Sequence, residues 1–215
     1  MPPCNDAVLR RPVIPVLTIE RVADAVPLAR ALVEGGLDVL EVTLRTGAAL
    51  DAIAAIRTAV PSALVGAGTV NDEPAFAAAV AAGARFVVSP GATPALLEAA
   101  ADSALPWLPG AATVSEVMVL ADAGFGVQKL FPAEPLGGPA FLDAIRGPVP
   151  EVTFCPTGGV NGANATRYLA CANVACVGGS WVAPRAALAA GDWAAVTAAA
   201  RVASALERAW APARR

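Results

Sequence analysis

The sequence predicts a single (β/α)8 TIM barrel, a closed parallel sheet of eight strands with helices outside it. Three observations lead there. Short β-branched runs alternate with longer Ala- and Leu-rich segments of helical period, the pairing recurs about every 20 to 25 residues, and the count reaches eight, which favours closing the sheet.

The strand candidates run in order over 13–17, 39–44, 64–69, 86–90, 107–109, 127–131, 152–156 and 174–177, most of them rich in Val, Leu and Phe as buried parallel strands require. A helical stretch follows each. Gly35-Gly36, Gly83, Gly124 and Gly147 stand where those helices should stop. An open dinucleotide-binding sheet would carry G-x-G-x-x-G after its first strand, where this chain reads Thr18-Ile19-Glu20-Arg21. An open flavodoxin-like sheet with added units is the competing architecture. No linker, charge run or low-complexity tract divides the chain, so residues 1–215 read as one domain, with an N-terminal leader over about 1–11 and a frayed tail at 211–215.

Composition excludes several classes. With 56% hydrophobic and 15% charged residues the chain can build a large core and is unlike a disordered protein. A net charge of −3 with scattered basic residues supplies no stripe for a nucleic-acid backbone. The start Met1-Pro2-Pro3-Cys4 lacks the basic region of a signal peptide, and no apolar run is long enough to span a bilayer, so a cytoplasmic protein without membrane partners is expected. Cys4, Cys155, Cys171 and Cys176 lack zinc-site spacing and read as buried thiols. There is no histidine, which removes Ser-His-Asp and Cys-His machinery and the commonest transition-metal ligand.

Of the 15 Lys and Arg residues only Lys129 is a lysine, leaving 14 arginines. A chain that meets nearly every cationic need with arginine, yet places lysine inside Gly126-Val127-Gln128-Lys129-Leu130-Phe131, points to a need for an amine, because a guanidinium does not form a Schiff base. A strongly hydrated ammonium is poorly placed amid apolar strand residues, and burial there favours the neutral, nucleophilic amine. On the second strand Glu41, Thr43 and Arg45 are spaced by two and should share one face. Either Glu41 and Arg45 form a buried ion pair, or Glu41 moves protons while Arg45 clamps a substrate carboxylate. Other strand ends carry small and hydroxyl residues. Among them, Gly158-Gly159 and Gly178-Gly179 follow the seventh and eighth strands, where barrels commonly bind phosphate.

Taken together, Pro12-Val13-Ile14-Pro15-Val16, Leu40-Glu41-Val42-Thr43-Leu44-Arg45-Thr46, Gly66-Ala67-Gly68-Thr69-Val70, Ser89-Pro90-Gly91, Lys129-Leu130-Phe131-Pro132-Ala133-Glu134, Phe154-Cys155-Pro156-Thr157-Gly158-Gly159 and Gly178-Gly179-Ser180-Trp181 form an ordered set spanning nearly the whole chain. The sequence resembles the 2-keto-3-deoxy-6-phosphogluconate (KDPG) aldolases, which often also cleave 4-hydroxy-2-oxoglutarate. That resemblance implies a class I aldolase that reversibly cleaves KDPG to pyruvate and D-glyceraldehyde 3-phosphate in the Entner-Doudoroff route, as a homotrimer needing no metal or other cofactor. It makes Lys129 the Schiff-base lysine, Glu41 the acid–base residue acting through a bound water, and Arg45 the carboxylate-binding residue. By the same matching Thr69, Pro90, Phe131 and Thr157 line the pyruvoyl pocket, and Gly158, Gly159, Gly179 and Ser180 cradle the phosphate. Leu130 and Pro135-Leu136 depart from the family's usual form, which leaves 4-hydroxy-2-oxoglutarate and 2-keto-3-deoxy-6-phosphogalactonate as competing substrates. A non-catalytic phosphosugar-binding or assembly protein is the reading from another class, and the intact Lys129, Glu41 and Arg45 set speaks against it.

Overall fold

The first strand, Val-Ile-Pro-Val-Leu, shows why the staves form where they do, since β-branched residues pack well on a pleated surface with helices on one side and a lumen on the other. The computed structural model describes residues 7–210. In chain order the elements are β1 (Val13–Leu17), α1 (Val22–Glu34), β2 (Val39–Thr43), α2 (Ala49–Ala59), β3 (Leu64–Gly68), α3 (Glu73–Ala81), β4 (Val87–Val88), α4 (Pro94–Ala101), β5 (Trp107–Leu108), β6 (Gly110–Ala111), α5 (Val114–Asp122), β7 (Val127–Leu130), α6 (Pro139–Arg146), β8 (Thr153–Pro156), α7 (Ala165–Leu169), β9 (Val177–Gly179), α8 (Arg185–Ala190) and α9 (Trp193–Ser204).

Nine strand segments make eight staves. All pairings are parallel, in the order β5-β4-β3-β2-β1-β9 and β6-β7-β8. The two runs join at Pro109, which separates β5 from β6 within one stave and has no N–H to give a ladder. They join again where Phe154 bridges Val174 and Thr157 bridges Gly178. The ring is closed, which excludes the open flavodoxin-like sheet. Strand positions differ from expectation by more than one residue in three places, first at the fourth stave, which pairs only over Val87–Val88 of the expected 86–90. The fifth stave runs on past Pro109 to Ala111, and the eighth lies at Val177–Gly179 instead of 174–177, because β1 sets its register through Val13–Val177, Ile14–Gly178 and Pro15–Gly179.

Side chains alternate along each stave between the helix layer and the lumen. Val42 faces out to the helices, while Ile14, Val39, Phe86, Val88, Leu108 and Cys155 fill the lower lumen. Gly66 is small because a Cβ there would lie 2.5 Å from the Phe86 ring. Two residues further along β2 and β7 the same face carries Glu41 and Lys129. The lumen is thus apolar below and ionic above.

The leader expected over 1–11 belongs to the barrel from residue 7 onward. Val8 and Leu9 are fully buried in the lower lumen cluster, and Arg10 and Arg11 pair with Asp38 at 2.9 and 2.8 Å. Residues 1–6, with Cys4, and the tail at 211–215 lie outside the described residues. Cys155 and Cys176 are buried as expected, whereas Cys171 is partly exposed and its thiol donates to the Arg167 carbonyl at 3.5 Å. Among the expected glycine stops, Gly36, Gly83 and Gly124 take positive φ, but Gly35 and Gly147 keep right-handed backbone. Gly35 is needed for another reason, since a Cβ would lie 2.4 Å from that of Ala200 on α9. Among the described residues no helix is long and apolar enough to cross a membrane.

Candidate active site

Lys129 rises from β7 and Glu41 from β2 to meet across the upper lumen, Nζ to Oε1 at 3.4 Å, with side chains only 6% and 3% exposed. The sequence dictates this on each strand, because both residues lie two positions beyond an apolar one, Val127 and Val39, that faces the lower lumen. Gly68 on β3 makes room, since a Cβ there would fall 2.1 Å from Glu41 Oε1. The amine also lies over the Phe131 ring, 5.3 Å from its centroid. A buried ion pair adds little net stability because desolvation offsets its attraction, so folding alone does not account for this one.

Glu41 therefore pairs with Lys129 and not with Arg45. The three residues expected on one strand face divide. Glu41 and Thr43 are buried on β2, and the Thr43 hydroxyl donates to the Leu17 carbonyl at 2.9 Å, fastening β2 to β1. The strand ends at Thr43, so Arg45 lies on the exposed turn beyond it, where period-two reasoning no longer holds. There it lines a cavity of about 720 Å³ together with Thr18, Ser180 and Trp181.

The residues expected around the pyruvoyl part occupy the same end of their staves. Thr69 follows β3 with φ 59°, the one non-glycine residue of positive φ among those described. For a β-branched residue that conformation costs on the order of 1–3 kcal/mol and persists only where surroundings impose it. Pro90 follows Ser89, whose hydroxyl accepts the Trp107 indole N–H at 3.0 Å, and Gly110 passes so close that a Cβ would lie 2.2 Å from the Pro90 carbonyl oxygen. Phe131 is half-buried beneath the amine, and Thr157 is buried beside Gly178, where a Cβ would fall 2.3 Å from its Oγ1.

The glycine pairs come together because Thr157 bridges Gly178, which sets Gly158 beside Gly179. Gly158 and Gly159 have φ of 95° and 84°. The carbonyls of Thr157 and Gly158 accept the N–H groups of Ala133 and Glu134 at 2.8 and 3.0 Å, and the Gly159 carbonyl accepts the amides of Asn161 and Asn164 at 3.2 and 3.0 Å. Peptide planarity then turns the N–H groups of Gly158 and Gly159 away from residues 133–134. Ser180 is exposed at the end of β9.

Sequence reasoning missed several partners. The Trp181 ring lies where a Cβ of Gly179 would be, 1.8 Å from that position, and also 3.5 Å from the corresponding point on Gly162. Asn161 and Asn164 carried a visible signal, the turn-forming Asn-Gly-Ala-Asn. The contact between Glu134 and Tyr168 joins residues 34 apart and left none.

The sequence profile of the KDPG and KHG aldolases, KHG being 2-keto-4-hydroxyglutarate, matches residues 5–199. The KHG/KDPG aldolase of Escherichia coli is 52% identical over 190 residues, covering 88% of this chain and 89% of that protein. The crystal structure of the Legionella pneumophila KDPG aldolase, with pyruvate captured as a covalent carbinolamine intermediate, superposes with a TM-score of 0.91 at 48% identity, covering 93% of this chain and 97% of that one. The Zymomonas mobilis enzyme, solved with 3-phosphoglycerate, gives 0.90 at 47% identity, covering 96% and 98%. With the barrel, the buried amine and carboxylate and the paired glycine turns in the same chain, these likenesses establish that it belongs to the KDPG and KHG aldolase family and is a carbon–carbon lyase.

Proposed function

We propose that this enzyme reversibly cleaves KDPG to pyruvate and D-glyceraldehyde 3-phosphate through an imine on Lys129. The observation that carries the reading is the buried Lys129 amine 3.4 Å from the Glu41 carboxylate at the barrel mouth. The Lys129 nitrogen attacks the C2 ketone, and Glu41, through a bound water, delivers the proton with which the carbinolamine hydroxyl leaves as water. The imine draws electrons. Glu41 then takes the C4 hydroxyl proton, the C3–C4 bond breaks into an enamine, and the aldehyde departs. Protonation at C3 and hydrolysis release pyruvate and the free amine. Arg45 binds the keto-acid carboxylate, Thr69, Pro90, Phe131 and Thr157 hold the pyruvoyl part, and Gly158, Gly159, Gly179 and Ser180 hold the phosphate. The pyruvate carbinolamine of the Legionella relative and the 3-phosphoglycerate of the Zymomonas relative favour both halves of this assignment.

Borohydride reduction in the presence of pyruvate is expected to add one reduced pyruvate adduct at Lys129, read by peptide mass spectrometry. Lys129→Arg should lose both adduct and turnover while still unfolding cooperatively. Turnover retained in Lys129→Arg would refute the covalent route.

The double name of the Escherichia coli relative favours a second substrate, 2-keto-4-hydroxyglutarate, identical with the 4-hydroxy-2-oxoglutarate named above. Relative kcat/KM on the two acids ranks them. We also infer a homotrimer acting in the cytoplasm within the Entner-Doudoroff route. Val114, Met118 and Val119 on α5 expose apolar surface of the kind that subunit contacts bury. Light scattering should return three chains per particle, and a monomeric mass would overturn the trimer.

A further inference from the structure

The loop after Lys129 carries a carboxylate up to the phosphate cradle, where its charge would oppose the ligand. Glu134 packs its Cβ and Cγ onto Gly159, each 2.6 Å from where a Cβ of that glycine would stand, and its N–H holds the Gly158 carbonyl at 3.0 Å. The carboxylate itself is turned aside. Its Oε1 accepts the hydroxyl of Tyr168 from α7, and the two oxygens close over Gly138, lying 3.3 and 3.0 Å from the point a Cβ would occupy there. Tyr168 is fully buried, and that burial, with the Glu134 charge, pushes its phenol well above the ordinary tyrosine range, so it remains a donor at every working pH. A phenylalanine would fill nearly the same space, so what the hydroxyl adds is the hold on Glu134.

We propose that Tyr168 is a positioning residue that holds the Glu134 carboxylate off the phosphate cradle, letting the loop after Lys129 pack on Gly159 without repelling a phosphate dianion. This rests on the reading of Gly158, Gly159, Gly179 and Ser180 as that cradle. Once released, the carboxylate can swing about its Cβ–Cγ bond back toward the Gly159 backbone. It then opposes phosphate and leaves the pyruvoyl end untouched.

The test compares KDPG cleavage with borohydride trapping of pyruvate, which has no phosphate. Tyr168→Phe is expected to raise KM for KDPG by about three- to tenfold, as a like charge brought within several ångströms of a dianion would, with kcat and half-saturating pyruvate unchanged. Adding Glu134→Gln removes the charge and should return KM to about the wild-type value. Glu134→Asp, one methylene too short to reach Tyr168, should reproduce the rise and replaces Tyr168→Phe if that variant does not fold. An unchanged KM, an equal weakening of pyruvate, or a rise that Glu134→Gln does not repair would overturn the proposal. Inhibition by inorganic phosphate in Ser180→Glu separates the two readings. If that inhibition is not weakened, the cradle is wrong and the proposal falls with it. If it is weakened while Tyr168→Phe has no effect, the cradle stands and the role of Tyr168 alone is lost.

Discussion

At position 68 a methyl group would overlap the Glu41 carboxylate and force it from its place 3.4 Å from Lys129. Displacements near 1 Å in a reacting constellation cost on the order of 100-fold in rate. Gly68→Ala should therefore lose about that much kcat while keeping its circular dichroism and cooperative unfolding, and an undiminished kcat would show that the Glu41 position is not critical. Lys129 and Glu41 were legible in the sequence, one as the only lysine in an arginine-rich chain and the other by its spacing on a strand. Gly68 was visible only as one small residue among several. Its role depends on β2–β3 register, Thr43 beside Gly68 and Glu41 beside Gly66, which no single strand encodes. Arg45 was placed one step too far along a strand, because the end of a ladder is set by the neighbouring chain.

Helix starts were written more plainly than strand ends. Thr113 and Glu116 form a complete capping box at α5, where the Thr113 hydroxyl accepts the Glu116 N–H at 3.2 Å and the Glu116 carboxylate accepts the Ala112 and Thr113 N–H groups at 2.7 and 3.0 Å. Thr113→Ala should cost about 1 kcal/mol, or about 2–4 °C in Tm for a chain of this length, with KM and kcat unaffected. A thermal melt with no shift would mean that Glu116 alone secures the helix start. The eight-unit rhythm was legible because each βα pair repeats its own periodicity. The break at Pro109 and the displaced last stave were not, because glycine-rich Val177–Gly179 has weak strand propensity and pairs only because β1 and the bridge to Thr157 hold it there.

Across the whole molecule, closing the barrel brings the two ends of the described chain to its foot. Asp38 is central there. Burial alone would raise its pKa, but hydrogen bonds from Arg11 and Arg10 outweigh that and hold the carboxyl below its ordinary value of 3.8. A carboxylate depressed in the folded state stabilises above its unfolded pKa and loses that contribution as pH falls through the folded value. Asp38→Asn should accordingly lower Tm at neutral pH, and the gap from wild type should close as pH drops below 3.8. A gap that persists at pH 2 would assign the effect to packing instead of charge.

Arg208 belongs to the same closure, donating to the carbonyls of Leu9 and Ala175 at 2.6 and 2.8 Å and stacking over Trp210. The opposite face of the barrel holds Lys129 and Glu41. A tether, a fusion partner or a solid support joined beside residues 9 and 208 would therefore approach from behind the reaction chamber and leave its mouth open to substrate.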